Sequence, residues 1–156
     1  MNKKDSAFTT GKLDDDTGFL VLQISRLWEF GHERVLKKHH NISHIQYAVL
    51  ATVYWLSKYD KDREITQSYI AKHTKIDPMT VSQVSKILEG RGYIQRQVCP
   101  TDVRAKVLSL TREGNELVER AIPFMIDFDS KFFGILGKNI KNFNKYLSEL
   151  LYVNDY

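Results

Sequence analysis

Apolar positions along the chain fall into blocks of two different periods, and the switches between them outline a fold. From Thr17 to about His39, the residues Phe19, Leu20, Leu22, Ile24, Leu27, Trp28, Val35 and Leu36 recur at helical spacing. Asp14, Asp15 and Asp16 stand just ahead, where a helix N-terminus favours negative charge. Asn41-Ile42-Ser43 breaks the block. Ser43, or Asn41 before it, is placed to cap a second helix carrying Ile45, Val49, Leu50, Val53 and Leu56, and the charged stretch from Lys58 to Arg63 ends it. Thr66 is placed to cap a short third helix with Tyr69, Ile70 and Ala71. After a turn at Lys75-Ile76, Asp77-Pro78 joins an N-cap acceptor to a residue that needs no N–H in the first turn. This predicts a fourth helix anchored by Val81, Val84, Ile87 and Leu88. Gly90-Arg91-Gly92 stops it and supplies a glycine for a left-handed C-cap. Two short helices across a tight turn make a helix-turn-helix.

The period then drops to two. Tyr93, Gln95 and Gln97 alternate with Ile94, Arg96 and Val98, and Val107 to Leu110 form a second such run. The basic loop from Cys99 to Lys106 joins them, so a hairpin follows the helix-turn-helix as a wing. A long helix begins at Thr111 and carries Leu117, Val118, Ala121 and Ile122; Pro123 within it predicts a kink. A last helix spans about Lys138 to Tyr152, with Ile140, Phe143, Leu147, Leu150 and Leu151 on one face.

Composition adds little until charge is mapped onto these elements. The 156 residues are 42% hydrophobic, which suits a globular domain and argues against disorder. One cysteine, Cys99, leaves no intrachain disulfide. The segment from Met1 to Asp16 is polar, without the apolar core of a signal peptide, and no run approaches the ~20 apolar residues of a membrane span. These features are those of a cytoplasmic protein with no membrane partner. The net charge is +4, but residues 66–112 hold eight Lys or Arg against three acids, and the rest of the chain is near neutral. A basic middle of this kind is the footprint of a phosphate-binding module, although a solvated face has the same composition.

Enzyme chemistry finds no foothold. The P-loop, Gly-x-Gly-x-x-Gly and Gly-x-Ser-x-Gly are all missing, and no catalytic residue or cofactor is expected. Leu36 stands where a metalloprotease helix beginning at His32-Glu33 needs its second histidine. His39, His40 and His44 straddle the break at Asn41-Ile42-Ser43, which removes helical ligand spacing, so no metal is expected.

The run Asp102-Val103-Arg104-Ala105-Lys106-Val107-Leu108-Ser109-Leu110-Thr111-Arg112-Glu113-Gly114 resembles the wing-to-helix signature of the MarR family: Asp-x-Arg, basic and apolar residues, then Leu-Thr-x-x-Gly. Leu88 to Arg96 resembles that family's recognition-helix end and first wing strand, and Ile42 to Leu50 the start of its second helix. The likeness extends over about residues 17–153. One departure is Cys99, which stands where the family often has a further Asp. The resemblance implies a mainly α (α+β) fold: a winged helix-turn-helix at 43–114, helical dimerisation regions at 17–42 and 115–156, and a polar tail at 1–16. It also implies a transcription regulator, in the first instance a repressor, that binds an inverted repeat of double-stranded DNA as a homodimer.

Individual residues can be set against that expectation. At 100° per residue, Met79, Ser82 and Lys86 face away from the apolar side of the fourth helix, with Gln83 at the boundary and Thr80 in the first turn. Gln bonds adenine edges, Ser several bases, and Met a thymine methyl, while Lys86 suits phosphate. The resemblance places Arg104 at the wing tip, where an arginine reads a narrow minor groove. Asp102 would orient it, unless the two form only a surface ion pair; Lys106 and Arg96 would serve the DNA backbone. The aromatic load outside the winged lobe, including Phe19, Trp28, Phe124, Phe128, Phe132 and Phe133, suits a two-fold dimer better than a larger intrachain core. Members of the family often respond to small phenolic or other aromatic anions between the two lobes. Trp28, His32, Tyr47 and Tyr54 would line such a site, with membership of the core as the alternative. Cys99, with Arg96, Arg104 and Lys106 near in sequence, suggests a redox-sensing variant of the same regulator. A rival reading is a winged-helix protein–protein module without sequence-specific DNA binding.

Overall fold

The computed structural model describes residues 16–60 and 63–154. Asp14, Asp15 and the tail expected at 1–16, apart from Asp16, lie outside these described residues. Helix α1 spans Thr17–His40, α2 His44–Tyr59, α3 Gln67–Thr74 and α4 Pro78–Gly90. Strands β1 (Ile94–Val98) and β2 (Lys106–Leu110) follow, then α5 (Arg112–Phe132), a 3₁₀ segment (Gly134–Asn139) and α6 (Ile140–Val153).

Local side-chain chemistry sets the boundaries. The Asp16 carboxylate accepts the Phe19 N–H at 2.9 Å and starts α1. Asn41 ends it in the left-handed region at φ 53°, after a last turn rich in Lys and His that suits the helix dipole. Ser43 and Gln46 form a reciprocal capping box on α2, which assigns the cap to Ser43 and leaves Asn41 as the stop. Thr66 caps α3 through the Tyr69 N–H at 3.1 Å. Asp77 accepts two backbone N–H groups, from Met79 and Thr80, at the start of α4. Gly92, at φ +75°, takes the chain out of α4, with its N–H on the Glu89 carbonyl and that of Tyr93 on Leu88. That is the glycine stop expected from the sequence.

The strands pair antiparallel, with Ile94 opposite Leu110, Arg96 opposite Leu108 and Val98 opposite Lys106. The segment before α3 lies along the other edge of β2, where the Leu108 N–H donates to the Ile65 carbonyl at 2.8 Å. The core runs through every element from the end of α1 to the middle of α5: Leu36, Leu50, Val53, Ile70, Val81, Leu88, Ile94, Leu108 and Val118 are all nearly or fully buried. Leu36 and Ile42 thus pack into the winged lobe although they precede residue 43. Helix α6 contributes no buried residue.

One expectation changes. Ile87 does not anchor α4: it is 49% exposed, and the inner stripe is Val81, Val84, Ser85 and Leu88. At 100° per residue Ser85 lies only about 40° from Val81 and about 60° from Leu88, whereas Ile87 lies about 120° from Val81, and the Ser85 hydroxyl is satisfied by the Val81 carbonyl at 2.7 Å. Polarity had hidden a core position. Pro123, where the sequence predicts a kink, lies inside α5, which runs as one helix from Arg112 to Phe132.

The junction of wing and α5 is tightly bonded. The Thr111 hydroxyl donates to the Gly92 carbonyl at 2.6 Å and accepts the Gly114 N–H at 3.0 Å. The Tyr93 carbonyl accepts the Thr111 N–H at 3.0 Å. A Cβ on Gly114 would stand 2.0 Å from that same carbonyl oxygen. Backbone cannot yield as a side-chain end can, so Gly114→Ala should lower stability in thermal or denaturant melts by about 1–3 kcal/mol, or more. Gly90→Ala is the control: its Cβ meets nothing within 4 Å, and it should be neutral or gain up to about 1 kcal/mol. Parental stability in Gly114→Ala would show that this contact has slack.

Candidate nucleic-acid interface

With Val81, Val84, Ser85 and Leu88 locked into the core, the opposite side of α4 faces outward. Met79 is 70% exposed, Gln83 and Lys86 are exposed, and Thr80 and Ser82 are half-buried. Met79, Gln83 and Lys86 form one row at i, i+4 and i+7, with Ile87 beside it. The helix that carries them is fixed at one end by Asp77 and at the other by Gly92, so the row is presented on a rigid support.

In the wing, the Asp102 carboxylate accepts the Arg104 backbone N–H at 3.0 Å, and the Asp102 carbonyl accepts the Ala105 N–H at 2.9 Å. These bonds make a tight tip. The Arg104 Nε lies 3.4 Å from the same carboxylate oxygen, with its side chain 90% exposed. So open an ion pair contributes little stability. Asp102 orders the loop, and the guanidinium remains available to a partner. Lys106 is half-buried at the start of β2.

Arg96 is placed differently from its expected role at the DNA backbone. Its Nε and Nη2 both donate to one oxygen of Glu89, at 2.7 and 2.5 Å, and its side chain is only 20% exposed. The Arg96 hydrogen bonds hold the Glu89 carboxyl below the usual carboxylate range. Cys99 is also redrawn. It is buried, and its thiol donates to Glu64 Oε2 at 2.8 Å, an oxygen that the Thr101 hydroxyl also reaches at 3.0 Å. The sequence put cations beside it, but the hairpin brings a carboxylate to the sulfur and turns Arg96 onto Glu89. The exposed, electropositive setting of a redox-sensing thiol is not found there.

Three of the four residues expected to line an effector site gather where α1, α2 and α5 meet. Trp28 Nε1 donates to Asp129 Oδ1 at 2.8 Å, and His32 Nε2 lies 3.1 Å from the same oxygen. Tyr47 faces this group too: burial, then the Asp129 charge, pushes its phenol up to about 12. Ring centroids of Trp28 and His32 are 4.0 Å apart, with His44 and Phe128 packed edge-on about His32 at 5.4 and 5.0 Å. Tyr54 belongs elsewhere. It is buried, donates its hydroxyl to Glu119 at 3.0 Å, and accepts a bond from Lys58. About two turns beyond Tyr47 along α2, it is too far on to join the Asp129 group. His39 and His40 pack on Phe124, away from His44. Among the described residues no group of three or more His, Cys, Asp or Glu could hold a metal ion, and no helix is long and apolar enough to cross a membrane.

Known proteins share this arrangement. A model of the MarR family matches residues 42–106, from the start of α2 to the start of β2. YdcH of Bacillus subtilis, an HTH-type transcriptional regulator, is 32% identical over 134 residues, which is 86% of this chain and 88% of its own. The chain belongs to the MarR family. As a MarR-family protein it is a DNA-binding, winged helix-turn-helix transcription regulator rather than an enzyme. Among solved structures, Staphylococcus aureus MepR in complex with DNA superposes with a TM-score of 0.74 at 25% identity, over 88% of this chain and 97% of that one. CouR of Rhodococcus jostii RHA1, bound to p-coumaroyl-CoA, has the same fold, with a TM-score of 0.74 at 20% identity over 91% and 94% of the two chains.

Several residues of this MarR-family site escaped the sequence reading. Glu89 pairs with Arg96 across a helix–strand boundary and Glu64 with Cys99 from loop to loop, where periodicity carries no information. Asp129 did leave a signal: it continues the buried row Leu117, Val118, Ala121 and Met125 of α5, and an acid on an apolar row needs a partner. Burial, then His32, holds the His44 imidazole below its ordinary range; burial, then His39 and Arg120, does the same for His40. The fold therefore favours both neutral, while the unfolded chain binds more protons near their ordinary pKa. Stability should decline as pH falls through about 6.5. His44→Gln should flatten that decline in denaturant titrations run at a series of pH values, and an unchanged slope would clear His44 of any part in it.

Proposed function

We propose that this regulator is a repressor that recognises an inverted repeat as a homodimer, with α4 reading the major groove and Arg104 the minor groove beside it. The observation that carries the reading is the outward row Met79, Gln83 and Lys86 on a helix whose other side is immobilised in the core. MepR in complex with DNA, the relative in fold at 25% identity, supports it. A second copy is called for by the apolar surface left open at both ends of the chain. Leu20, Leu27 and Phe30 on α1 are 46%, 61% and 65% exposed, and Leu147, Leu150 and Leu151 on α6 are 40%, 58% and 60% exposed. Two-fold pairing of α1 and α6 would cover these faces and set two α4 helices roughly 34 Å apart, one turn of duplex.

Binding to duplex selected from a random pool should fall steeply with salt, by about 0.9 log units per decade for each phosphate neutralised. Arg104→Ala should weaken binding most where the flanks are A·T-rich and the groove narrow. Gln83→Ala should relax preference at one position per half-site, by about 1–3 kcal/mol. A monomer in sedimentation at micromolar concentration, or a flat salt response, would overturn the reading.

The same proposal includes release by a small aromatic effector at the junction of α1, α2 and α5. CouR, bound to an aromatic acyl-CoA, supports this use of the fold. Trp28, His32 and Tyr47 would meet the ligand, with Asp129 as the polar group it has to satisfy or displace. An effector that lowers DNA affinity tenfold, about 1.4 kcal/mol of coupling, must itself bind tenfold more weakly to the DNA-bound protein. Calorimetry with salicylate and p-coumarate, with and without the selected duplex, measures both sides. Equal affinities in the two states would remove the effector from the mechanism.

A further inference from the structure

The wing is a slender element. Only two strands build it, its outer residues Gln97 and Val98 are exposed, and its tip carries the freest arginine of the proposed interface. Where Arg104 points therefore depends on what holds the base of the hairpin against α4. The chain between these elements passes through Gly90-Arg91-Gly92, and Gly92 lies at φ +75°, a conformation that glycine adopts without stiffening it. Across that turn, from the penultimate residue of α4 to the centre of β1, runs the double hydrogen bond of Glu89 with Arg96.

We propose that Glu89 and Arg96 form a positioning clasp that fixes the wing against the recognition helix, so that Arg96 acts on DNA through Glu89 rather than by touching phosphate. The proposal rests on the DNA-reading role of α4 and Arg104 given above. Three observations carry it. Both Nε and Nη2 of Arg96 are spent on one carboxylate oxygen. The Arg96 side chain is 20% exposed against 90% for Arg104, so it is packed at the hairpin base rather than extended toward solvent. Finally, Glu89 is one of only three acids in a stretch with eight bases, where a carboxylate opposes DNA unless it has structural work.

The sign of one substitution separates the clasp from a phosphate contact. If Arg96 binds phosphate and Glu89 merely competes for it, Glu89→Gln frees a cation, removes an anion and strengthens binding. If the pair is a clasp, Glu89→Gln weakens binding although it makes the surface more positive. The experiment uses the full chain and a duplex selected by the parent protein, prepared with A·T-rich and with G·C-rich flanks. Glu89→Gln and Arg96→Gln should each weaken binding about tenfold, ~1.4 kcal/mol, on the A·T-flanked duplex. The double variant should be no worse than either single one, and the preference for A·T flanks should shrink in all three. The salt slope should stay at the parental value in Arg96→Gln. Arg96→Lys should not rescue, because an ammonium cannot donate along two fixed directions. The exchanged pair, Glu89→Arg with Arg96→Glu, should restore part of the flank preference.

Stronger binding by Glu89→Gln, or a salt slope reduced by about 0.9 in Arg96→Gln, would overturn the clasp and make Arg96 a phosphate ligand. Amide hydrogen exchange in the free protein provides a readout that needs no DNA. Exchange over residues 97–105 should speed up in Glu89→Gln while the amides of α5 keep parental protection, and parental exchange throughout would also overturn the clasp. Failure of the parent protein to select any duplex would instead remove the proposed DNA reading. The exchange measurement would still decide whether the clasp exists.

Discussion

The absence of a side chain at Gly114 is the constraint on which the rest of the molecule depends. There α5 begins directly over the Tyr93 carbonyl, with Thr111 bonded both to its own first turn and to the Gly92 carbonyl. The same few residues end the exit from α4, start β1, end β2 and launch the long helix toward the opposite end of the molecule. Displacement of any one element shifts the other three. The Leu-Thr-x-x-Gly part of the family signature is thus a packing requirement first. It fixes where α4 and the wing stand relative to the helix that links them to the outer ends of the chain.

Charge around this junction is economical. The three acids among the bases of residues 66–112 are all engaged within the chain: Asp77 caps α4, Glu89 holds Arg96, and Asp102 orders the turn below Arg104. Their charges are thereby partly cancelled where they stand. The bases around them keep their reach into solvent, with Lys86 and Arg104 the clearest instances. Glu64 is a fourth acid of this kind, tied to Cys99 and Thr101 on the other side of the hairpin base. Near the wing, negative charge is used for construction and positive charge is left for recognition.

What the sequence disclosed and what it hid divide along physical lines. Helices α2, α3 and α4 start at caps the sequence proposed, Ser43, Thr66 and Asp77, because caps act over three residues and their chemistry is local. The helix-turn-helix and hairpin were legible for the same reason. Ile87 faces outward because angle rather than hydrophobicity decides position on α4, and one satisfied hydroxyl is enough to make the smaller, polar Ser85 a buried residue. The pairs Glu89–Arg96 and Glu64–Cys99, and the convergence of Trp28, His32 and Tyr47 on Asp129, depend on elements that meet only in three dimensions. Asp129 is about a hundred positions from both its partners on α1. An acid inside an apolar row indicated that a partner existed without indicating which one.

The two tryptophans sit in contrasting surroundings. Trp28 is half-buried with its indole N–H on Asp129 and its ring against His32, whereas Trp55 is 46% exposed and stacks on Tyr59 at 5.5 Å. Indole emission follows the polarity and the quenchers around the ring, so these two should differ in both colour and yield. The first reports any change between α1 and α5, and the second reports the outer surface of α2. The protein therefore carries two indoles on separate parts of its frame, and movement of one part relative to the other is open to optical measurement with no label attached.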